Sequence, residues 1–194
     1  EAGLRAARDR FYQGDIASEM AQFSEQNGGL LRYDDFARYT AKVEEPVSIT
    51  YHGYEVYKNP SASQGPAELF ALNLLEGYNL KALGHNSAEY IHTSVEATKL
   101  AMADRDKYLG DMDFIRIPYE GLLSKRYADE RRKLISGTAS LEFRPGEAEK
   151  HMSGFDLPAR PRDVNIAGGA DHEGDTSYIA VVDQDRNAIT FTPS

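Results

Sequence analysis

The stretch from Glu142 to Asp175 constrains this chain most: it holds three prolines (Pro145, Pro158, Pro161), five glycines (Gly146, Gly154, Gly168, Gly169, Gly174) and no hydrophobic period. A compact domain seldom keeps more than about 15 residues without regular structure unless they act or link. The segment therefore reads as a long flexible loop with a purpose. It separates a helical part before it from a strand-forming part after it. Behind it, Tyr178 to Asp183 and Ala188 to Thr192 are apolar runs around Gln184-Asp185-Arg186-Asn187, the pattern of an antiparallel hairpin.

Ahead of the loop the periodicity is mostly helical. Leu4 to Tyr12 carries Leu4, Ala7, Arg8 and Phe11 at helical spacing, with Gly14 as its stop. Asp15 suits the N-cap of Ile16 to Gln26, where Ile16, Met20 and Phe23 share a stripe and Gly28-Gly29 ends the helix. Asp34 to Tyr39 adds one polar-capped turn. The β-branched and aromatic run Val47 to Lys58, broken by His52-Gly53, predicts a hairpin. Pro66 suits the first position of a helix over Ala67 to Gly77, whose exposed N-terminus offers a place for an anion. The longest helix is predicted over Ser87 to Leu109, with Ile91, Val95, Met102 and Leu109 as its apolar stripe and Asn86 with Glu89 as a capping box. The alternating charges of Ala103 to Tyr108 read as its solvated or salt-bridged face. Ser124 to Ile135 predicts one more, basic helix.

Composition narrows the function classes. At 194 residues the chain is one domain or a domain with part of another. Folded compactly it would expose roughly 9,000 of the roughly 31,000 Å² its unfolded form exposes, so a catalytic core is within its means. The net charge of −9 repels phosphate backbones and anionic lipid, which makes nucleic acid a poor partner. With no cysteine there is no disulfide, thiol nucleophile or zinc-thiolate site. No apolar run is long enough for a membrane span. The chain begins at Glu1 without methionine, inside a predicted helix, and reads as part of a longer polypeptide; its compartment, cytoplasmic or exported, stays open. Five histidines fall in no metal-binding spacing, and Asp171-His172-Glu173-Asp175 reads as a group of solvated turn formers. Neither a G-x-S-x-G elbow nor a dinucleotide or P-loop glycine motif is present.

What remains is Gly174-Asp175-Thr176-Ser177, a hydroxyl residue where the loop meets the hairpin. Two readings stand. Thr176 simply begins a strand, or the loop is a tether cut between Asp175 and Thr176, so that the new α-amine serves as the base for the Thr176 hydroxyl. Asp175-Thr176-Ser177-Tyr178-Ile179-Ala180-Val181-Val182-Asp183-Gln184-Asp185-Arg186-Asn187-Ala188-Ile189 resembles the T-T-H-x-S-V-V-D-x-D-G-N-A-V start of the small subunit of γ-glutamyltransferases, self-processing N-terminal-nucleophile hydrolases. Phe11-Tyr12-Gln13-Gly14-Asp15-Ile16-Ala17 is similar to their F-Y-x-G-x-I-A, Asn27-Gly28-Gly29 to N-G-G, and Tyr108-Leu109-Gly110-Asp111 to Y-L-G-D. Asn59 to Gly65 resembles the P-P-x-S-x-G loop, in the S-Q-G form of γ-glutamyltransferase-like acylases.

The resemblance implies an α/β fold of the four-layer αββα type, of which this chain supplies mostly helices and the first central hairpin. Residues 1–175 would be the C-terminal part of the large subunit and 176–194 the start of the small one. It implies Thr176 as nucleophile after cleavage at Asp175–Thr176, and Ser194 as a hydrogen-bond partner of that nucleophile. It further implies γ-glutamyl transfer or hydrolysis on glutathione-type amides, with water or an amine as acceptor, the rest of the same precursor as partner, and neither metal nor organic cofactor. An acylase of cephalosporin-type amides or poly-γ-glutamate, and a non-catalytic binding or subunit-contact module, are the alternatives. The chain departs from the pattern at Ser177 and Tyr178, at Arg186 in place of the turn glycine, and at Pro193. If the turn needs the left-handed conformation, Arg186 costs roughly 1–2 kcal/mol.

Overall fold

The computed structural model describes residues 1–61, 63–152 and 179–191. The chain forms two units, Glu1–Met152 and Ser153–Ser194. In the first, the order is α1 (Ala2–Gln13), α2 (Asp15–Gln26), α3 (Tyr33–Arg38), β1 (Val47–Tyr51), β2 (Tyr54–Lys58), α4 (Gly65–Leu75), α5 (Leu80–Leu83), α6 (Ala88–Tyr108), α7 (Tyr119–Leu122), α8 (Lys125–Arg132) and a 3₁₀ turn, Ala148–His151. The second contains β3 (Ile179–Val182) and β4 (Ala188–Phe191). Both strand pairs are antiparallel, β1 with β2 and β3 with β4.

Two of the sequence motifs that carry the resemblance turn out to be corners. Gly14 separates α1 from α2, and a Cβ there would lie 2.7 Å from the Arg10 carbonyl oxygen, which only glycine avoids. Asp15 does not cap: it is already the first helical residue, and its carboxylate pairs with Arg10 at 2.8 Å instead. At the other end of α2, Gly28 has φ 74° and Gly29 N–H donates to the Ser24 carbonyl at 2.7 Å, so Asn27-Gly28-Gly29 closes the helix with a left-handed turn. The β1–β2 hairpin turns at His52 and Gly53, both with positive φ. Its turn is tied to α4 and α8: the His52 N–H donates to Glu76 at 2.7 Å, and the Lys125 ammonium donates to Asn73 Oδ1, Glu76 and the Thr50 carbonyl.

The core lies where α4, α6 and α8 meet. Leu74, Ala97, Leu100 and Ala128 form one cluster, and Phe70, Ala101, Tyr108, Ile117, Leu122, Tyr127 and Ala148 another. α6 is capped by Ser87, whose Oγ accepts the Tyr90 N–H at 3.0 Å; Asn86 has φ 59° and closes the preceding turn, which moves the cap one residue past the predicted one. Its expected stripe divides: Met102 is half-buried and Leu109 packs against the Phe70 cluster, whereas the N-terminal half faces outward. Ile91 and Val95 are 47% and 49% exposed, while Thr93, Glu96, Ala97, Leu100, Ala101, Asp104 and Tyr108 are buried. The alanines let the neighbouring helices approach closely, and the buried acids are satisfied by chain that follows much later. α7 was not legible: its Gly121 faces Ala148, and a Cβ there would come within 2.1 Å of the Ala148 carbonyl oxygen. Because that obstacle is backbone, Gly121→Ala is expected to destabilise the full-length protein by about 1–3 kcal/mol in a urea titration; an unchanged midpoint would show that the 3₁₀ turn moves aside at no cost.

Candidate functional site

The irregular segment from Ser140 to Glu149 is held along α6 as a strap. Its pins come from Glu96, Asp104 and Tyr108, eight and four residues apart on the helix, so they share a face. At the first, Glu96, only 1% exposed, accepts the Ser140 N–H at 3.2 Å and the Arg144 guanidinium at 2.8 Å. Lys99 completes this pin, donating to Glu96 at 2.5 Å and to the Ser140 carbonyl. Burial opposes the charge on Glu96, yet Lys99, the Ser140 N–H and Arg144 together hold its carboxyl below the usual carboxylate range.

Two turns on, Asp104 is 2% exposed and accepts from Arg131 Nε at 3.1 Å and from the Gly146 N–H at 2.6 Å. Arg131, 5% exposed, reaches past it to the Arg144 carbonyl. Here burial wins: it pushes the Asp104 carboxyl above its ordinary value, although Arg131 and the Gly146 N–H pull the other way. At the last turn the Tyr108 hydroxyl accepts the Ala148 N–H at 2.9 Å and lies beside the Gly146 carbonyl and the Glu149 carboxylate; burial, then Glu149, pushes its ionisation up. The expected face therefore divides: Arg105 and Asp106 form a surface ion pair at 2.8 Å, whereas Asp104 and Tyr108 are buried. Asp104 and Tyr108 point inward because the strap supplies their partners.

A second joint ties two of the resembling motifs together. The Ser61 hydroxyl donates to the Gly110 carbonyl at 2.5 Å and accepts the Gly110 N–H at 2.9 Å, while the Ser61 N–H donates to the Tyr119 hydroxyl at 2.6 Å. The loop from Asn59 to Gly65 is thus bound to Tyr108-Leu109-Gly110-Asp111. The start of α4 is not open to an anion as expected. Pro66 and Ala67 are buried, Pro66 has no N–H, the Ala67 N–H donates to the Gln64 carbonyl and the Gly65 N–H to Ser63 Oγ.

The second unit shows the hairpin that sequence predicts, with Val181 opposite Ile189 and Val182 opposite Ala188. Asp183 organises its turn, accepting the Asp185 and Asn187 N–H groups at 2.9 and 2.8 Å and the Asn187 side-chain amide at 2.8 Å. Those bonds, the Asn187 side chain first, keep its carboxyl below the ordinary range. Arg186 sits at φ 64°, so the position that the resemblance fills with glycine does adopt the left-handed conformation. Arg186→Gly is therefore expected to raise the melting temperature of the full-length protein, by the equivalent of about 1 kcal/mol. A lower melting temperature would assign the arginine a contact worth more than the strain.

Asp175, Thr176 and Ser194 lie outside the described residues, as do Asp171, His172, Glu173, Tyr178 and Thr192, the predicted end of the second strand. Among the described residues, no group of acids and histidines is placed to hold a metal ion, and no helix is long and apolar enough to cross a membrane. The strap and its pins are what sequence reading missed. Their signal was Glu96, Leu100, Asp104 and Tyr108 at four-residue spacing, masked by the stronger apolar spacing of Ile91 and Val95.

The chain is helix-rich α/β, with antiparallel hairpins as its only sheets among the described residues. A sequence profile described as gamma-glutamyltranspeptidase matches residues 4–194. The chain belongs to that family. It is 37% identical to the glutathione hydrolase-like YwrD proenzyme of Bacillus subtilis over 96% of its own length, and spans 31% of that protein. The crystal structure of Helicobacter pylori gamma-glutamyltranspeptidase superposes with a TM-score of 0.67 at 32% identity, covering 78% of this chain and 44% of that one. That of a cephalosporin acylase from Bacillus halodurans gives 0.63 at 36% identity, covering 72% and 26%.

Proposed function

We propose that this chain is the part of a self-processing γ-glutamyltransferase/hydrolase that spans its processing junction, with residues 1–175 ending the large subunit and 176–194 opening the small one. The observation that carries the reading is the family match, which runs unbroken through Asp175-Thr176 and into the hairpin behind it. The hairpin itself supports a four-layer αββα architecture. Ile179 and Val181 alternate with Ala180 and Val182, so both faces of β3 are apolar, the pattern of a strand covered on two sides. A lone two-stranded hairpin is marginal in water, and further strands beside it would complete the sheet.

In maturation the Thr176 Oγ adds to the Asp175 carbonyl carbon, the Asp175–Thr176 C–N bond breaks, and the hydroxyl proton passes to the departing nitrogen. The resulting ester is hydrolysed by water to an Asp175 carboxylate and a free Thr176 with its own α-amine. That amine then takes the proton of the Thr176 hydroxyl as it attacks a γ-glutamyl amide, giving an acyl-enzyme that passes to water or an amine. Ser194 would hydrogen-bond the nucleophile, as the resemblance implies, and neither step needs a metal or organic cofactor.

The test is a denaturing gel of the full-length protein during incubation, with N-terminal sequencing of the smaller fragment. A fragment beginning at Thr176 is expected; one persistent band would favour a non-catalytic module, and a break elsewhere would remove Thr176 from its role. A second reading, an acylase of cephalosporin-type amides, is favoured by the Ser63-Gln64-Gly65 loop and the likeness to the B. halodurans acylase. Turnover of a γ-glutamyl anilide against a glutaryl amide separates the two.

A further inference from the structure

Where α8 meets α6, a buried polar group stands without a partner among the described residues. Tyr127 is 4% exposed, and its hydroxyl oxygen makes no hydrogen bond. Burial, then the charge of Asp104, pushes ionisation of the phenol up, so the group stays O–H and remains a donor. Asp104 lies near enough to act on the phenol, yet the two do not meet in hydrogen-bond geometry. Gly146 of the strap packs on the hydroxyl so closely that a Cβ there would come within 2.0 Å of it, which stops the oxygen from swinging out on that side. A buried phenol left in this state costs more than a phenylalanine filling the same space.

Tyr127 also lines a cavity of about 10 Å³. Asn73, Asp104 and Arg131 complete its polar side, Phe70 and Leu122 are among its apolar walls, and each of these six residues is 5% exposed or less. The volume suits a single water molecule, which stays only where polar groups converge on it. They do so here. Asp104 accepts one N–H at each oxygen, from Gly146 and from Arg131, and each oxygen keeps a second lone pair. Asn73 gives one amide hydrogen to the Leu123 carbonyl at 2.9 Å, receives Lys125 at its oxygen at 2.7 Å, and has a second amide hydrogen to give.

We propose that this cavity is a binding site for one structural water, which accepts the Tyr127 O–H and donates to the Asp104 carboxylate, with Asn73 as its third partner. A single molecule then joins α4, α6 and α8 behind the central pin of the strap. It gives the tyrosine at 127 a task that its ring alone does not. One buried water is not bulk solvent: it adds a hydrogen bond to Asp104 but no opposite charge, so Arg131 is still required. The site lies wholly within Glu1–Met152 and does not depend on cleavage of the chain.

A crystal structure of the full-length protein, with urea midpoints of the native form and of Tyr127→Phe, tests this. The native map is expected to show one water within about 3.2 Å of both Tyr127 Oη and an Asp104 oxygen. Tyr127→Phe removes one of its partners, and the folding constant is expected to fall about fivefold. A dry cavity, or a phenol turned directly onto Asp104, overturns the water. A Tyr127→Phe protein as stable as the native one, or more stable, shows that the hydroxyl is unpaired in solution and overturns the site as well.

Discussion

A full-length protein carrying Thr176→Ala should stay as one chain on a denaturing gel and turn over no γ-glutamyl amide above background. Alanine removes the hydroxyl together with a methyl group that takes no part in the chemistry. On the proposed mechanism one substitution removes both the group that breaks the Asp175–Thr176 bond and the group that forms the acyl-enzyme. By comparison with other enzymes stripped of their nucleophile, the loss in kcat should be on the order of 10⁶-fold. Thr176→Ser separates the two roles, because it keeps an oxygen nucleophile and should restore both activities in part. A cleaved Thr176→Ala protein, or one retaining more than a thousandth of native turnover, would place the nucleophile elsewhere.

The second large effect is on stability. Arg131→Met in the full-length protein should lower it by about 3–5 kcal/mol, because Asp104 would stay buried without its cation. That is a large share of the whole stability of an ordinary domain. The pH dependence has a definite sign. Burial already holds the Asp104 carboxyl above its ordinary value against the pull of Arg131, so removing the guanidinium raises it further. A carboxyl raised on folding contributes most below its unfolded pKa and loses that contribution as pH rises through the folded value. The deficit of Arg131→Met should therefore be smallest near pH 4 and grow toward neutrality. Adding Asp104→Leu should recover much of the loss but leave about 1–3 kcal/mol, since the Gly146 N–H then has no acceptor. Urea midpoints of the four proteins give the cycle directly; a single-variant loss under 1 kcal/mol would mean that water reaches Asp104.

Much of the scaffold was legible because its signals are local. The corner at Gly14, the stop at Asn27-Gly28-Gly29, the two hairpins and the span of α6 each follow from residues within a few positions of one another. What the sequence concealed is long-range. Nothing near Asp104 announces Arg131 or Gly146, which lie 27 and 42 positions away, and without them an acid on a helix is best read as solvated. The same holds for Ser61, whose partner Gly110 is 49 positions on. The short helices α5 and α7 are too brief to show a period. Asp175, Thr176 and Ser194 are expected as site residues from the family resemblance, because no local period or spacing marks them.

The spacing between α6 and its strap has a consequence for how the protein is made. When α6 leaves the ribosome, Glu96 has only Lys99 of its own helix beside it, and Asp104 faces what will be the apolar side with neither Arg131 nor Gly146 yet synthesised. Their remaining partners arrive only as residues 131 to 146 emerge, a delay of seconds at ordinary translation rates. Until then the nascent helix gains little by docking on α4, so the bundle is expected to close late and all at once, which keeps a half-made chain from settling in the wrong register.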